Sequence, residues 1–352
     1  MKVLVLNPGA TSTKISIFEE ENEVFKTNLV HHAADLAPYA HVIDQGPFRK
    51  QLILETVEKA GYQMTDFDAV CGRGGLLRHI PSGTYAVSDQ AIADVLDPPY
   101  GEHASNLGVL LARELGDMAG IPSFFVDPVC VDEMTPVAHV TGFKGMERES
   151  FFHALNQKSI ARKAAKLLGK TYEEARLIVI HMGGGVSVAA HENGLAVDDF
   201  NVKDEGACGM DRAGSLPVNA MINLCFSGLT KQEVKKLLGS EAGAYSYVGT
   251  KDFREVERRA FEENDPDCRM VFDAMAYQLA KDIGAMAAVL KFQVDAIVYT
   301  GGMAYSDRFT QAITDYVGNL APVLRLPGEE EMRSLAEGAL RVLHGEQAKV
   351  YP

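Results

Sequence analysis

Two strand–turn–strand segments, one in each half of the chain, constrain the fold more than any other feature of the sequence. In Met1–Phe18, an apolar run ends at Asn7-Pro8-Gly9, and β-forming residues resume at Ile15. In Leu177–Gly194, an apolar run ends at three consecutive glycines and an alternating strand follows, so these glycines lie in a hairpin. The repeated arrangement predicts two similar α/β units.

Both turns have the composition of a phosphate-binding loop. A phosphate group needs several hydrogen-bond donors on a backbone that it can approach closely, together with a cation. In the first turn, the candidate phosphate-binding residues are Asn7, Gly9, Thr11, Ser12 and Lys14. A strand follows this loop, so the order is not that of a Walker A motif. Taken alone, an ordinary hairpin turn rich in Ser and Thr is the more common explanation of this segment.

The second turn gives a stronger signal. Gly183, Gly184 and Gly185 lack Cβ atoms, so their N–H groups can lie directly against a phosphate. His181 ends the strand before them and is assigned to the same loop or to a structural role. A plain flexible turn is the alternative explanation.

A third apolar strand, Ala296–Thr300, ends in Gly301, Gly302 and Met303. A single Gly-Gly pair is weak evidence of a binding site. Together with two hairpins that each open half of the chain, however, it gives the pattern of an ATPase made of two duplicated domains. We therefore expect a nucleotide between two domains.

Composition excludes several classes of protein. A chain of 352 residues is longer than most single cores, so two domains are expected. The formal net charge of −14 and the lack of a basic block argue against nucleic acid and anionic membranes as partners. No apolar run approaches the ~20 residues of a membrane span, and we expect a cytoplasmic protein. The five cysteines are widely spaced and form no C-x-x-C pair, which predicts neither a disulfide framework nor a zinc site.

Apolar β-type runs alternate with helical patterns, as in an α/β protein. Besides the first hairpin, the predicted strands are Ala69–Cys71, Thr84–Val87, Ser123–Val126, Leu177–His181, Ser187–His191, Leu195–Asn201 and Ala296–Thr300. The predicted helices are Gly46–Ala60, Asp89–Leu96, Ala104–Ala119, Phe152–Leu168, Val218–Cys225, Lys231–Leu238, Asp252–Glu263, Cys268–Lys291, Arg308–Val317 and Met332–His344.

Several motifs, collinear from Met1 to about Gln347, resemble those of the butyrate kinase family. This family belongs with acetate kinase in the superfamily that also holds actin, sugar kinases and Hsp70. The motifs are Asn7–Lys14, Cys71–Gly75, Gly101–Asn106, Phe152–Lys158, His181–Gly185 and Thr300–Met303.

The resemblance implies reversible transfer of the γ-phosphoryl group of ATP to a short-chain carboxylate, giving an acyl phosphate and ADP, with Mg²⁺ as the metal. It implies two duplicated ribonuclease H-like domains, as in actin and Hsp70, with the nucleotide in the cleft between them. We place the N-terminal, carboxylate-binding domain at residues 1–127 and 331–352 and the adenosine-binding domain at residues 128–330. Members are homodimers or larger, and the apolar pattern at Cys268–Lys291 is one candidate interface.

Three residues match the catalytic positions of the acetate kinase group. Arg73 and Arg212 match arginines that bind the carboxylate and the transferring phosphoryl group, and the planar guanidinium suits both anions. His153 matches a histidine that stabilises the transition state. The start of a helix lowers imidazole basicity, which favours a neutral hydrogen-bond donor.

Two acidic residues match magnesium-binding positions of the group. Asp127 follows the strand Ser123–Val126, and Glu331 lies at the start of the last predicted helix. Glu329 and Glu330 compete with Glu331 for the second position. Carboxylates together with substrate phosphates are the usual ligands of Mg²⁺, whereas charged residues at a helix start are the structural alternative for the glutamates.

Small residues predict a wide acid pocket. Gly75 and Gly101 occupy positions where acetate kinases carry aliphatic side chains, and Phe152 is predicted to form a wall. Each additional buried methylene contributes about 0.8 kcal/mol, so a C4 or C5 acid should be preferred over acetate. The segment Ala207–Met210 departs from the acetate kinase pattern just before Arg212.

Two alternatives remain open from the sequence. The substrate could be isobutyrate, propionate or another short or branched acid. From a different class, the same ATPase core could serve as a nucleotide-driven conformational switch, as in actin or Hsp70. Paired arginines beside a histidine favour an acid substrate, and a switch would hydrolyse ATP without dependence on any acid.

Overall fold

The computed structural model describes residues 1–352 and contains eleven strands and twelve α-helices. The chain divides into two units. Unit 1 comprises Met1–Asp132 and Glu330–Pro352, and unit 2 comprises Glu133–Glu329. Each unit contains one mixed sheet covered by helices, which confirms the predicted α/β class.

The strands are β1 (Lys2–Pro8), β2 (Ser12–Glu19), β3 (Asn22–Val30), β4 (Ala69–Arg73), β5 (Thr84–Ala86), β6 (Ser123–Val126), β7 (Leu177–Met182), β8 (Val186–Glu192), β9 (Leu195–Phe200), β10 (Ala296–Thr300) and β11 (Val323–Arg325). The helices are α1 (Ala33–Leu36), α2 (Gly46–Lys59), α3 (Asp89–Leu96), α4 (Asn106–Ala119), α5 (Ala154–Leu167), α6 (Val218–Cys225), α7 (Lys231–Ser240), α8 (Gly243–Val248), α9 (Phe253–Phe261), α10 (Pro266–Val289), α11 (Asp307–Val317) and α12 (Glu331–Leu343).

The sheet of unit 1 has the strand order β3-β2-β1-β4-β6-β5. Strands β1, β2 and β3 pair antiparallel, whereas β1, β4 and β6 pair parallel. Apolar residues of β1 and β2 alternate inward and form one core with α2 and α4. Helix α4 lies directly on β4, because Gly72 and Gly108 face each other: a Cβ added to Gly72 would lie 1.9 Å from the Gly108 carbonyl oxygen.

The sheet of unit 2 repeats this arrangement in the order β11-β10-β7-β8-β9. Strands β7, β8 and β9 pair antiparallel, and β7, β10 and β11 pair parallel. Helix α10 packs on one face through apolar residues from Cys268 to Ala287, and α5 packs on the other face. The apolar pattern of Cys268–Lys291 is therefore largely that of a core helix. Counted from β3 in unit 1 and from β9 in unit 2, the first five positions of the two sheets follow the same order along the chain: three antiparallel strands, then two parallel ones.

All predicted strands and helices are present, and their ends differ from the prediction by at most two residues. Helix α10 begins before Cys268 because the Asp265 carboxylate caps the amides of Asp267 and Cys268. The prediction missed two edge strands, β3 and β11, and two short helices, α1 and α8. No helix combines the length and the apolar character that crossing a membrane requires.

Candidate functional site

The glycine loop of unit 2 is held by its own backbone and by a neighbouring segment. The Gly183 N–H donates to the Gly185 carbonyl at 3.1 Å, and the Met210 N–H donates to the Gly184 carbonyl at 3.2 Å. Gly301, after β10, has φ +86°, and a Cβ there would lie 2.4 Å from the Met182 carbonyl oxygen. Only glycine allows this approach, so β10 ends directly beside the end of β7.

A cavity of about 1040 Å³ in unit 2 adjoins this loop. Four of the residues predicted to bind the nucleotide line it: Gly183, Gly184, Gly302 and Met303. Sequence reasoning missed the remaining lining residues, which lie in the segment before Arg212, on or beside α9, and after Met303: Met210, Lys251, Asp252, Phe253, Arg254, Glu257, Tyr305 and Ser306. These residues form no motif, since the fold alone brings α9 to the glycine loop.

His153 lies beside the glycine loop. It is the N-cap residue of α5, and its ring stacks on that of His181 with 3.7 Å between centroids and 10° between planes. The Asn156 amide donates to His181 Nδ1 at 2.9 Å, and His181 Nε2 lies 3.4 Å from Glu329 Oε1. His181 is thus fixed in position and supports the ring of His153.

Arg212 also lies against the glycine loop. Its Nη1 donates to the Val202 carbonyl at 3.3 Å, and a Cβ added to Gly185 would lie 3.1 Å from the same Nη1. The segment before Arg212, which departs from the acetate kinase pattern, is held by α8. The Ala244 N–H donates to the Gly209 carbonyl at 3.1 Å, and the Tyr245 N–H donates to the Met210 carbonyl at 2.9 Å. Unit 2 therefore gathers His153, the glycine loop and Arg212.

In unit 1, Asn7, Arg73 and Glu331 form one polar cluster. The Asn7 amide donates to Glu331 Oε2 at 2.7 Å. The guanidinium of Arg73 reaches both oxygens of Glu331, at 3.1 Å from Nη1 and 2.8 Å from Nη2. Asn7 and Glu331 are buried, and Arg73 is partly exposed. Lys14 pairs with Asn7 across the β1–β2 ladder, which places both side chains on the same face of the sheet.

A buried arginine that sequence reasoning missed holds the first loop in place. Arg49, on α2, is fully buried, and its guanidinium donates to the carbonyls of Gly9 (2.8 Å), Ser12 (3.0 Å) and Ala10 (3.2 Å). Thr11, at the tip of the loop, is exposed, and its carbonyl accepts from the His31 N–H at 2.8 Å. Nothing in the local pattern of α2 distinguishes Arg49 from other helix arginines, since its partners in the first loop lie 36 to 40 positions earlier.

The two predicted magnesium ligands lie in different settings. Asp127 is buried after β6 with φ +38°, and its Oδ1 accepts from the Gly83 N–H at 2.6 Å. Both oxygens of Glu331 accept from Arg73, so in this arrangement the carboxylate is the ion-pair partner of the arginine. No group of three or more His, Cys, Asp or Glu side chains forms a ready metal site.

The predicted acid-pocket residues also differ from one another. A Cβ added to Gly75 would lie 1.9 Å from Asn106 Oδ1, and this oxygen accepts from the Leu76 N–H at 2.8 Å. Gly75 therefore makes room for Asn106, which corrects our inference that it widens the pocket. Gly101 is exposed and has φ +98°, and a Cβ added to it would have no heavy atom within 4 Å. Phe152 is fully buried.

Comparison with solved structures supports the architecture. The chain resembles acetate kinase from Porphyromonas gingivalis, with a TM-score of 0.79 and 21% identity over 97% of this chain and 99% of the other. It resembles a propionate kinase from Francisella tularensis, with a TM-score of 0.77 and 16% identity over 96% and 98% of the two chains. For acetate kinase from Entamoeba histolytica, the TM-score is 0.76 and the identity 16%, over 97% and 99%.

These similarities confirm the predicted two-domain ATPase fold of the actin and Hsp70 type. A family model described as the Acetokinase family matches residues 143–323, which is more than half of the chain and lies within unit 2. The matched region includes His153, the glycine loop and Arg212. The chain belongs to the acetokinase family.

Proposed function

We propose that the chain transfers the γ-phosphoryl group of ATP reversibly to butyrate or a similar C4–C5 acid, giving the acyl phosphate and ADP. Membership of the acetokinase family supports an ATP-dependent carboxylate kinase. The observation that carries the proposal is the placement of a guanidinium, Arg212, and an imidazole, His153, beside the glycine loop of unit 2. A cation and a neutral donor at a phosphate-binding loop are the groups that phosphoryl transfer requires.

In this proposal, the nucleotide occupies the cavity beside Gly183, Gly184, Gly302 and Met303. Its volume of about 1040 Å³ is ample for a nucleoside triphosphate. We assign the backbone N–H groups of Gly184 and Gly185 to the phosphates, because the Gly183 N–H already donates to the Gly185 carbonyl. When bound with the nucleotide, Mg²⁺ would neutralise part of its charge, and no step of the reaction is assigned to a metal ligand of the protein.

The transfer itself forms one bond and breaks one. A carboxylate oxygen of the acid attacks the γ-phosphorus, and the bond between this phosphorus and the oxygen of the β-phosphate breaks, so that ADP leaves with the electron pair. Charge spreads over the equatorial oxygens of the transferring group. We assign Arg212 and His153 to these oxygens, as donors that are already in position before the reaction.

In unit 1, Arg73 is the residue that we propose to bind the carboxylate of the acid. A guanidinium carries five N–H donors, and Glu331 and Asn7 accept only from its two terminal nitrogens. Glu331 fixes the plane of the guanidinium, and the remaining donors are assigned to the acid or the transferring phosphoryl group. Isobutyrate, propionate or another short or branched acid is the alternative substrate.

An acyl-phosphate assay with hydroxylamine trapping tests the proposal. Acetate, propionate, butyrate, isobutyrate and valerate are supplied with Mg-ATP. We expect the product yield to peak at a C4 or C5 acid and to fall at least about 100-fold in Arg73→Ala and in Arg212→Ala. Arg269→Ala is the control, because Arg269 is an exposed α10 residue paired with Asp273. ATP turnover that ignores every acid would refute the kinase and favour a conformational switch.

A further inference from the structure

We propose that Ser187, Gln157 and His191 form a hydrogen-bond relay that holds His153 as the neutral tautomer protonated on Nε2. The relay lies entirely in unit 2 and ends at Tyr172. Only the use of this tautomer, as a donor to the transferring phosphoryl group, rests on the proposed function. The tautomer itself follows from the hydrogen-bond directions along the relay.

The backbone fixes the first direction. Gln157 Nε2 lies 3.1 Å from the carbonyl oxygen of Ser187 and 2.9 Å from its Oγ. A carbonyl oxygen only accepts, so the amide nitrogen of Gln157, and not its oxygen, must face Ser187. Gln157 is fully buried, which makes a reversed amide costly. The amide oxygen therefore faces away from Ser187.

The amide oxygen then fixes His191. Gln157 Oε1 lies 3.2 Å from His191 Nε2, and an amide oxygen requires a donor, so Nε2 carries a proton. His191 Nδ1 accepts from the Tyr172 hydroxyl at 2.7 Å. Complete burial lowers the pKa of His191 to about 3, so the ring is neutral and carries only this proton at neutral pH. At this end of the relay, the hydrogen bonds therefore run in one direction, from the Tyr172 hydroxyl to His191 Nδ1 and from His191 Nε2 to Gln157 Oε1.

At its other end, the relay fixes His153. Ser187 Oγ accepts from Gln157 Nε2 and from the backbone N–H of His153 at 3.3 Å, which occupies both of its lone pairs. Its own proton is then donated to His153 Nδ1, at 2.8 Å. A neutral imidazole that accepts at Nδ1 carries its proton on Nε2.

The same contacts disfavour a charged His153. An imidazolium would direct a second N–H from Nδ1 at a hydroxyl that has no lone pair left. The ring of His181 stacks on that of His153 with 3.7 Å between centroids, and Glu329 Oε1 lies 3.4 Å from Nε2 of His181. A neutral donor stabilises charge that develops on the phosphoryl oxygens without losing or gaining a proton itself. Ser187 and Gln157 are thus positioning residues.

Nuclear magnetic resonance of the protein with ¹⁵N-labelled histidine tests the tautomer directly and without substrate. Long-range ¹H–¹⁵N correlations distinguish the two neutral tautomers and the cation, and His153→Asn assigns the His153 signals. In the wild-type protein we expect His153 and His191 both to show the Nε2-protonated pattern at pH 7.5. An Nδ1-protonated or doubly protonated His153 would overturn the proposal, whether or not the chain phosphorylates an acid.

Variants test the contribution of the relay to the reaction. In Ser187→Ala we expect the His153 signals to show a mixture of the two neutral tautomers. We expect kcat to fall by about 10- to 100-fold, which is less than the fall expected when the His153 donor is removed altogether. The KM values for ATP and acid should stay within about twofold. Ser187→Thr keeps the hydroxyl and should restore the single tautomer. Tyr299→Phe, the control, removes another buried hydroxyl of unit 2, paired with Thr314, and should change neither signal nor kcat. A Ser187→Ala protein with an unchanged tautomer and kcat would refute the relay.

Discussion

Replacement of Arg49 by methionine should destabilise unit 1 and loosen its first loop, the candidate phosphate-binding turn between β1 and β2. Arg49 is fully buried, and no carboxylate lies among its hydrogen-bond partners. Its charge is dispersed over the carbonyls of Gly9, Ala10 and Ser12, the Thr13 hydroxyl and the Gln45 amide oxygen. Burial lowers the pKa of Arg49 to about 10, which leaves it charged at neutral pH. Methionine fills a similar volume but donates no hydrogen bond.

The magnitude follows from the acceptors that the substitution strands. Five acceptors lose a charged donor, but the Ser12 carbonyl keeps the Gly9 N–H and the Thr13 hydroxyl keeps its contact with His31. The carbonyls of Gly9 and Ala10 and the Gln45 amide oxygen lose the donor that Arg49 supplied, and each buried acceptor left unpaired costs about 1–3 kcal/mol. Removing the buried guanidinium also removes its own desolvation cost, which offsets part of this loss. The expected net decrease in the free energy of unfolding is about 3–5 kcal/mol. The loop loses the contacts that fix its carbonyls, so its N–H groups should lose their orientation as well.

Urea unfolding followed by circular dichroism measures the stability, and amide hydrogen exchange of a peptide covering residues 7–14 measures the loop. Arg49→Met should exchange faster in this peptide and show a raised KM for ATP. Arg113→Met is the matched control, since Arg113 lies in the same unit but pairs with the exposed carboxylate of Asp89 and with Asp117. If Arg49→Met unfolds within about 1 kcal/mol of the wild type and its loop exchanges no faster, then the hairpin holds its own conformation and the reasoning is refuted.

Two further predictions follow from the structure. Burial raises the pKa of Asp199 to about 8, so the folded state holds a proton near pH 6 that the unfolded state, with a pKa of about 3.9, has released. The contribution of Asp199 to the free energy of unfolding should therefore fall by about 2 kcal/mol between pH 6 and pH 8. Urea unfolding of the wild type and of Asp199→Asn at the two pH values isolates this contribution. An equal change of the unfolding free energy with pH in both proteins would contradict it. At Gly101, leucine should fill the open space and shift the preference from butyrate toward acetate. Because the two acids differ by two methylenes, the expected shift is roughly 1.6 kcal/mol, or about 15-fold in the ratio of their kcat/KM values. Gly120→Leu introduces comparable backbone strain, at φ +68°, away from any predicted pocket residue and should leave the preference unchanged.

The sequence was sufficient to predict the glycine loops and the elements around them, for local reasons. An apolar run of strand length that ends in glycine is typical of a buried strand followed by a turn, and few other structures fit it. Helix α10 and strand β10 lie where the pattern of their apolar residues indicated. Edge strand β3 was missed because its side chains are exposed or only partly buried, so it lacks an apolar face. Helix α8 has six residues, which is too short for a periodic pattern.

The residues that position the site were beyond the reach of sequence patterns. Arg49 and the relay residue Ser187 look like ordinary helix and strand residues, and their roles depend on partners that are far away in the chain. Glu331 was assigned to the metal because it matches an acidic position of the acetate kinase group, and its pairing with Arg73 across 258 positions is visible only in the fold. A sequence shows that a residue carries a carboxylate, but it does not show which distant side chain that carboxylate contacts.

The topology explains why these distant residues meet. Within unit 1, Arg73 ends β4 and Asp127 follows β6, and these strands run parallel with β1, which leads into the first loop. Within unit 2, His181 lies near the end of β7, and Gly301 follows its parallel neighbour β10. Carboxyl ends of parallel strands lie at one edge of a sheet, and ligands of α/β proteins bind there. Glycine at positions 72, 108 and 301 allows the neighbouring backbones to approach closely at those ends. Strand direction and close backbone packing therefore bring the candidate residues together in each unit, although they are far apart in the sequence.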